Sequence, residues 1–231
     1  MDHGALQALA LASFFFVLAI VGRGICNLGF IERPIFIGFV WWLCTGDMAP
    51  ALPLALFFEL FWLDLIPIGS YVPPMPGFPY LILLALAGAM GWTEPAALAF
   101  PLAVLMPLAY VIPVLEYRQR NWQKYASTQL IALAESPRPL EGFPGRLIAR
   151  SGLQQTVGGL LIFVLTYALA HYSFSLAHDI GASWGTGLIP LGVDWPILYI
   201  IAAIGALLSL RIKRAYFVFA LCMAGMLLLR L

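Results

Sequence analysis

The chain has 231 residues, 62% of them hydrophobic and 10% charged, with a formal net charge of +1 and a mean hydropathy of +0.94. A soluble domain of this size cannot bury so much apolar surface, so the composition is that of an integral membrane protein with no room for a separately folding soluble domain. It offers no basic face for nucleic acid. Cys26, Cys44 and Cys222 lack CxxC or Cys/His spacing, which argues against disulfides or a metal site and for small buried hydrophobes.

The apolar segments in chain order are 5–22, 34–45, 49–66, 78–92, 95–115, 153–172, 195–210 and 214–229. The first follows Met1-Asp2-His3, which is no positively charged leader, and precedes Gly22-Arg23-Gly24, which is no A-x-A cleavage site, so it reads as a retained span. The second, PIFIGFVWWLCT, falls well short of the roughly 20 residues needed to cross about 30 Å of hydrocarbon. With Gly46-Asp47 as a turn, 34–66 is predicted to be a re-entrant helical hairpin that leaves the membrane on the side it came from.

Charge placement supports that parity. Eleven of the twelve Lys and Arg residues, all but Arg230, fall on one side if the hairpin is re-entrant and six helices span. The positive-inside rule then puts both termini outside and the 116–151 segment in the cytoplasm. The loop 173–194 has no Lys or Arg and suits the outside.

The expected fold is all-α and integral to the membrane, about six transmembrane helices plus at least one re-entrant hairpin, in a single domain 1–231. A first half, 1–115, contains the hairpin; 116–151 is a cytoplasmic linker; 152–231 is the second half. The halves enter from opposite sides, as in transporters built on inverted repeats. Pro95, Pro101, Pro107 and Pro113 recur every six residues along one span, and each interior proline frees a carbonyl that a neighbour must satisfy.

Polar residues inside such a chain mark sites, because a carboxylate at the centre of a bare span costs about 2.5–3.5 kcal/mol on insertion scales. Glu59 and Asp64 are five residues apart, about 140° around a helix, so they do not line one seam. Glu59 fits a cavity or a bond to unwound backbone; Asp64 fits a site or the return of the hairpin to the interface. The segment after them, with Gly69, Ser70 and Tyr71 between prolines, offers free backbone groups to a neutral, hydroxyl-rich solute. Asp47 reads as a structural turn or helix cap. His171 and His178 with Asp179 lack the spacing of a metal site, and no catalytic motif is visible.

One family carries several of these features. E-R-P-I-F-I-G followed by G-D-M, Glu59 twelve residues after Asp47, then I-G-S-Y-V-P-P and, at 97–102, A-L-A-F-P-L, together resemble the membrane subunit IIC of the mannose/fructose/sorbose family of bacterial phosphotransferase systems. The resemblance covers 5–115 and, loosely, 195–229. It departs from the pattern at Pro67, where relatives carry Asn, and at Pro-Pro-Met75, where they carry A-P-D; the chain also stops about one helix early. The resemblance implies a multi-pass subunit of the bacterial inner membrane, without cofactors, in an oligomeric complex with a IID membrane subunit. On this resemblance the chain passes a sugar or similar small polar solute to a cytosolic IIAB component that phosphorylates it, so the chain is not itself the enzyme. Glu59, Asp64, Gly69, Ser70 and Tyr71 are the substrate-binding candidates. The alternatives are a membrane-embedded enzyme or a non-transporting scaffold or sensor on the same fold.

Overall fold

The computed structural model describes residues 3–23, 29–63, 73–118, 121, 143–179 and 193–210, and their regular elements are all helical. They are α1 (His3–Val21), α2 (Pro34–Thr45), α3 (Ala51–Phe61), α4 (Gly77–Met90) and α5 (Pro95–Leu105), a 3-10 turn (Met106–Tyr110), α6 (111–118), α7 (Phe143–Asp179) and α8 (Trp195–Leu210). Among the described residues, three stretches are long and apolar enough to cross a bilayer: Gly4–Val21, Pro95–Arg118 and Ala149–Ala177.

The centre of the bundle is α4. Gly77 to Ala87 are all buried, as a helix that is apolar all round must be, and α1, α2, α3, α5 and α7 pack around it. In lipid the tails are as apolar as leucine, so close packing rather than water exclusion holds such helices together. Phe16 of α1 stacks on Phe163 of α7 with ring centroids 4.6 Å apart, and both meet Phe78 of α4, at 5.4 and 6.0 Å. At the far end of the α1–α4 contact a Cβ added to Gly88 would lie 2.9 Å from Ala8 Cβ, so the absent side chain sets how close the helices come.

The short helices α2 and α3 form an antiparallel hairpin. At 12 and 11 residues they reach only about 18 and 17 Å at 1.5 Å per residue. Pro34 opens α2 at a position where a missing N–H costs nothing. Gly46 closes it with φ 78°, donating its N–H to the Trp42 carbonyl at 2.8 Å, a left-handed cap that glycine adopts without strain. The hairpin docks on α4 through Tyr80, whose hydroxyl donates to the Ala51 carbonyl at 3.0 Å and whose ring meets Phe58 at 5.8 Å. The third apolar segment, expected to be helical to residue 66, leaves the helix after Phe61.

Pro107 and Pro113 shape the span that follows. The helix tightens into the 3-10 turn at Met106–Tyr110, since Pro107 cannot continue the α-helical ladder. Pro113 leaves the carbonyl of Ala109 without its α-helical donor, and the backbone N–H of Met75 fills the gap at 2.8 Å. The proline that breaks one helix thus fixes the chain leading into α4.

Helix α7 differs from expectation at both ends. It starts at Phe143, inside the segment read as a linker, and runs to Asp179, inside the segment read as an outside loop. Its 37 residues span about 55 Å, more than a bilayer needs. Pro144 sits in the first turn, where proline is tolerated, and the polar turns that follow extend the helix beyond the apolar run. Cys44, expected to be buried, is exposed on the last turn of α2, because that helix buries only the face carrying Pro34, Ile37, Gly38 and Trp41.

Candidate functional site

Two charged clusters gather at one end of the bundle. In the first, Arg23, two residues past the α1 span, donates from Nη1 to Glu32 Oε2 at 2.7 Å, from Nε to Glu116 Oε2 at 3.0 Å and from Nη2 to the Pro73 carbonyl at 2.8 Å. The side chains of Arg23, Glu32 and Glu116 are only 9%, 17% and 10% exposed. Burial works against the guanidinium charge, but the charges and hydrogen bonds of Glu32 and Glu116 more than offset it and hold Arg23 above its ordinary value. One planar, multidentate cation therefore joins the end of α1, the approach to α2, the approach to α4 and the end of α6.

In the second cluster Glu59 of α3 reaches across the hairpin. Its Oε1 accepts the backbone N–H of Ile35 at 3.3 Å and its Oε2 accepts Arg33 Nη1 at 3.3 Å. Ile35 belongs to the first turn of α2, whose N–H groups have no intrahelical acceptor, so Glu59 supplies from another helix the cap that Arg33 at the N-cap position cannot. The carboxylate also meets the positive end of the helix dipole. Arg33 is 38% exposed and Glu59 17%, so solvent screens the ion pair and the cap is the firmer part.

Of the sequence-predicted site residues, Glu59 is therefore a partly buried carboxylate bonded to backbone at a helix end. Asp64, Gly69, Ser70 and Tyr71 lie outside the described residues. Asp47 sits exposed in the turn between the hairpin helices, its N–H 3.4 Å from Thr45 Oγ1. Pro50 holds the N-cap position of α3 and no side chain caps it, so Asp47 belongs to the turn and is not a cap. The reason is register: α3 begins at Ala51, too far along for Asp47 to reach its first N–H groups. Met75, where the resembling family has an acid, is fully buried.

Tyr167 Oη is buried without a hydrogen-bond partner among the described residues. His171 and His178 are both on α7, two turns apart, and no group of three metal-ligating side chains occurs among the described residues. Sequence reading took Arg23 as a topological marker and gave Glu116 no role. The available signal is that the topology putting Arg23 on the basic side also brings Glu32 and Glu116 there.

These elements define a polytopic α-helical membrane protein with a short hairpin docked on a buried central helix and its ion pairs collected at helix ends. The family model of the phosphotransferase-system sorbose-specific IIC component matches residues 5–129, more than half of the chain, and the chain belongs to this family. It is thus a membrane subunit of a sugar phosphotransferase system, a transport component and not the phosphorylating enzyme. Comparison with curated proteins and with solved structures gives no match.

Proposed function

We propose that this chain is the permease subunit that carries a sugar or similar small polar solute across the bacterial inner membrane, by movement of the core that bears the α2–α3 hairpin. The observation that carries the reading is the hairpin itself: two antiparallel helices too short to cross, seated on the buried α4, with both outer ends at the level of Arg23. Helix termini inside a membrane offer unpaired N–H and C=O groups, which can recognise hydroxyls without charged side chains. Glu59 holds the start of α2 in place through the Ile35 N–H, and with Asp64, Gly69, Ser70 and Tyr71, which lie outside the described residues, it makes up the proposed site.

The ion pairs support the six-span reading. Arg23 and Glu116 are 3.0 Å apart, so the ends of α1 and α6 share one side, as an even number of crossings between them requires. On the positive-inside rule that side is the cytoplasm, and both termini are outside. Halves 1–115 and 152–231 then enter from opposite faces. A IID-like membrane subunit and a cytosolic IIAB-like phosphotransferase are the partners that membership in the family implies, within an oligomeric complex.

The test uses cells carrying the chain with its phosphotransferase partners and labelled sorbose, fructose and mannose. Glu59→Gln keeps an amide oxygen for the Ile35 N–H but loses the charge. It is expected to lower uptake about tenfold or more, about 1.4 kcal/mol, while assembly and melting temperature stay near those of the parent. Uptake unchanged beside a lowered melting temperature would make Glu59 a tether only, and absence of uptake of any of these sugars by the parent would refute the permease reading.

A further inference from the structure

A cavity of about 500 Å³ lies between α1, α6 and α7, apart from the hairpin. Its apolar lining includes Ile20, Leu115 and Ile162, and its polar lining includes Arg118, Asn121 and Gln154 together with Glu116, whose carboxylate is paired with Arg23 at 3.0 Å. The space exists because α7 carries two adjacent glycines. Gly159 lets α1 approach until an added Cβ would collide with Ile20 Cδ1, whereas a Cβ on Gly158 would meet nothing within 4 Å. One glycine closes the helix contact and its neighbour leaves a slot beside it.

The position of the slot narrows what it holds. Arg118 is the last residue of the Pro95–Arg118 span and Gln154 lies near the start of the Ala149–Ala177 span, so the polar rim is at the level where spans leave the hydrocarbon. Arg150 stands one turn before Gln154 and is exposed. Around the slot, Val114, Val157 and Leu161 present exposed apolar surface of the kind that faces lipid. An apolar groove along the spans with cationic and carboxamide groups at its mouth matches an amphiphile with an anionic head.

We infer that this cavity is a binding site for an anionic phospholipid, with an acyl chain along Ile20, Leu115 and Ile162 and the headgroup phosphate at Arg118, within reach of the carboxamides of Asn121 and Gln154. Arginine suits a phosphate because its fork donates two parallel hydrogen bonds. The site is separate from the proposed solute site and depends only on the spans lying in a bilayer.

The experiment is native mass spectrometry of the purified full-length chain in detergent with equimolar phosphatidylglycerol and phosphatidylcholine of identical acyl chains. The parent is expected to retain phosphatidylglycerol in preference. Gly158→Leu has open space for its Cβ, extends into the slot and replaces a poor helix former, so its melt should hold while retention falls about tenfold. Arg118→Gln, at an exposed position, should bring the preference between the two lipids close to unity. Retention by Gly158→Leu equal to the parent's overturns the proposal, as does equal retention of the two lipids by the parent. Displacement of phosphatidylglycerol by inorganic phosphate or a hexose phosphate at millimolar concentration also overturns it, and assigns the cavity to a soluble phosphate instead.

Discussion

Arg23 carries more structure than any other charged residue described. It holds two carboxylates and a carbonyl from three separate parts of the chain, and all three lose the guanidinium if it goes. Removing one member of a buried ionic cluster is costly because the others keep their desolvation penalty, about 3–5 kcal/mol in measured cases, whereas replacing the whole cluster with apolar groups is often neutral. Arg23→Met is therefore expected to lower the melting temperature of the detergent-purified protein severely. Glu32→Gln or Glu116→Gln alone should do less, and the triple variant should recover much of the loss of Arg23→Met. A triple variant no more stable than Arg23→Met would mean that the guanidinium acts through shape and its bond to Pro73 rather than through charge pairing.

At the scale of elements, the hairpin depends on how closely α2, α3 and α4 approach. A Cβ on Gly38 would lie 2.7 Å from Tyr80 Oη, 2.9 Å from Ala55 Cβ and 3.3 Å from the Ala51 carbonyl. Two of those atoms form the bond that docks the hairpin. Overpacking of this kind costs about 1–3 kcal/mol, so Gly38→Ala is expected to lower thermal stability and detach the hairpin from α4. Gly29→Ala, with open space around it, should melt like the parent. Limited proteolysis beside the melt tests the point; equal stability and equal protection in the two variants would show that the hairpin is not seated as described. The proline-rich span obeys the same logic with backbone groups, since the carbonyl freed by Pro113 is taken up by Met75 rather than left bare in the membrane.

For the whole molecule, the order of contacts fixes which helix ends lie together. Arg23 meets Glu116, Gly88 meets Ala8, and α5 starts on the far side from which α6 returns. With the native cysteines replaced, Gly29→Cys and Tyr117→Cys, both at exposed positions, should react with a membrane-impermeant maleimide from one face of oriented vesicles. Thr93→Cys, also exposed, should react from the other. Labelling of Thr93→Cys and Tyr117→Cys from the same face would remove the span between them and with it the six-span arrangement.

What the sequence determined by itself followed from local chemistry. Apolar length marked the membrane class, a 12-residue run followed by Gly46 marked a helix too short to cross, prolines at 107 and 113 marked a broken span, and E-R-P-I-F-I-G with G-D-M and Glu59 pointed to the sorbose-type IIC family. Each of these rests on residues close together in the chain. The bonds across the bundle did not: Arg23 to Glu116 is a separation of 93 residues and Glu59 to Ile35 one of 24, and no periodicity encodes which carboxylate a given cation will meet. Nor did composition say that the face of α2 carrying Cys44 would be exposed, or that α7 would run on past the bilayer. The fold made those choices, because in a membrane the helices gain little from burial alone and settle where small residues let them touch and where every displaced polar group finds a partner.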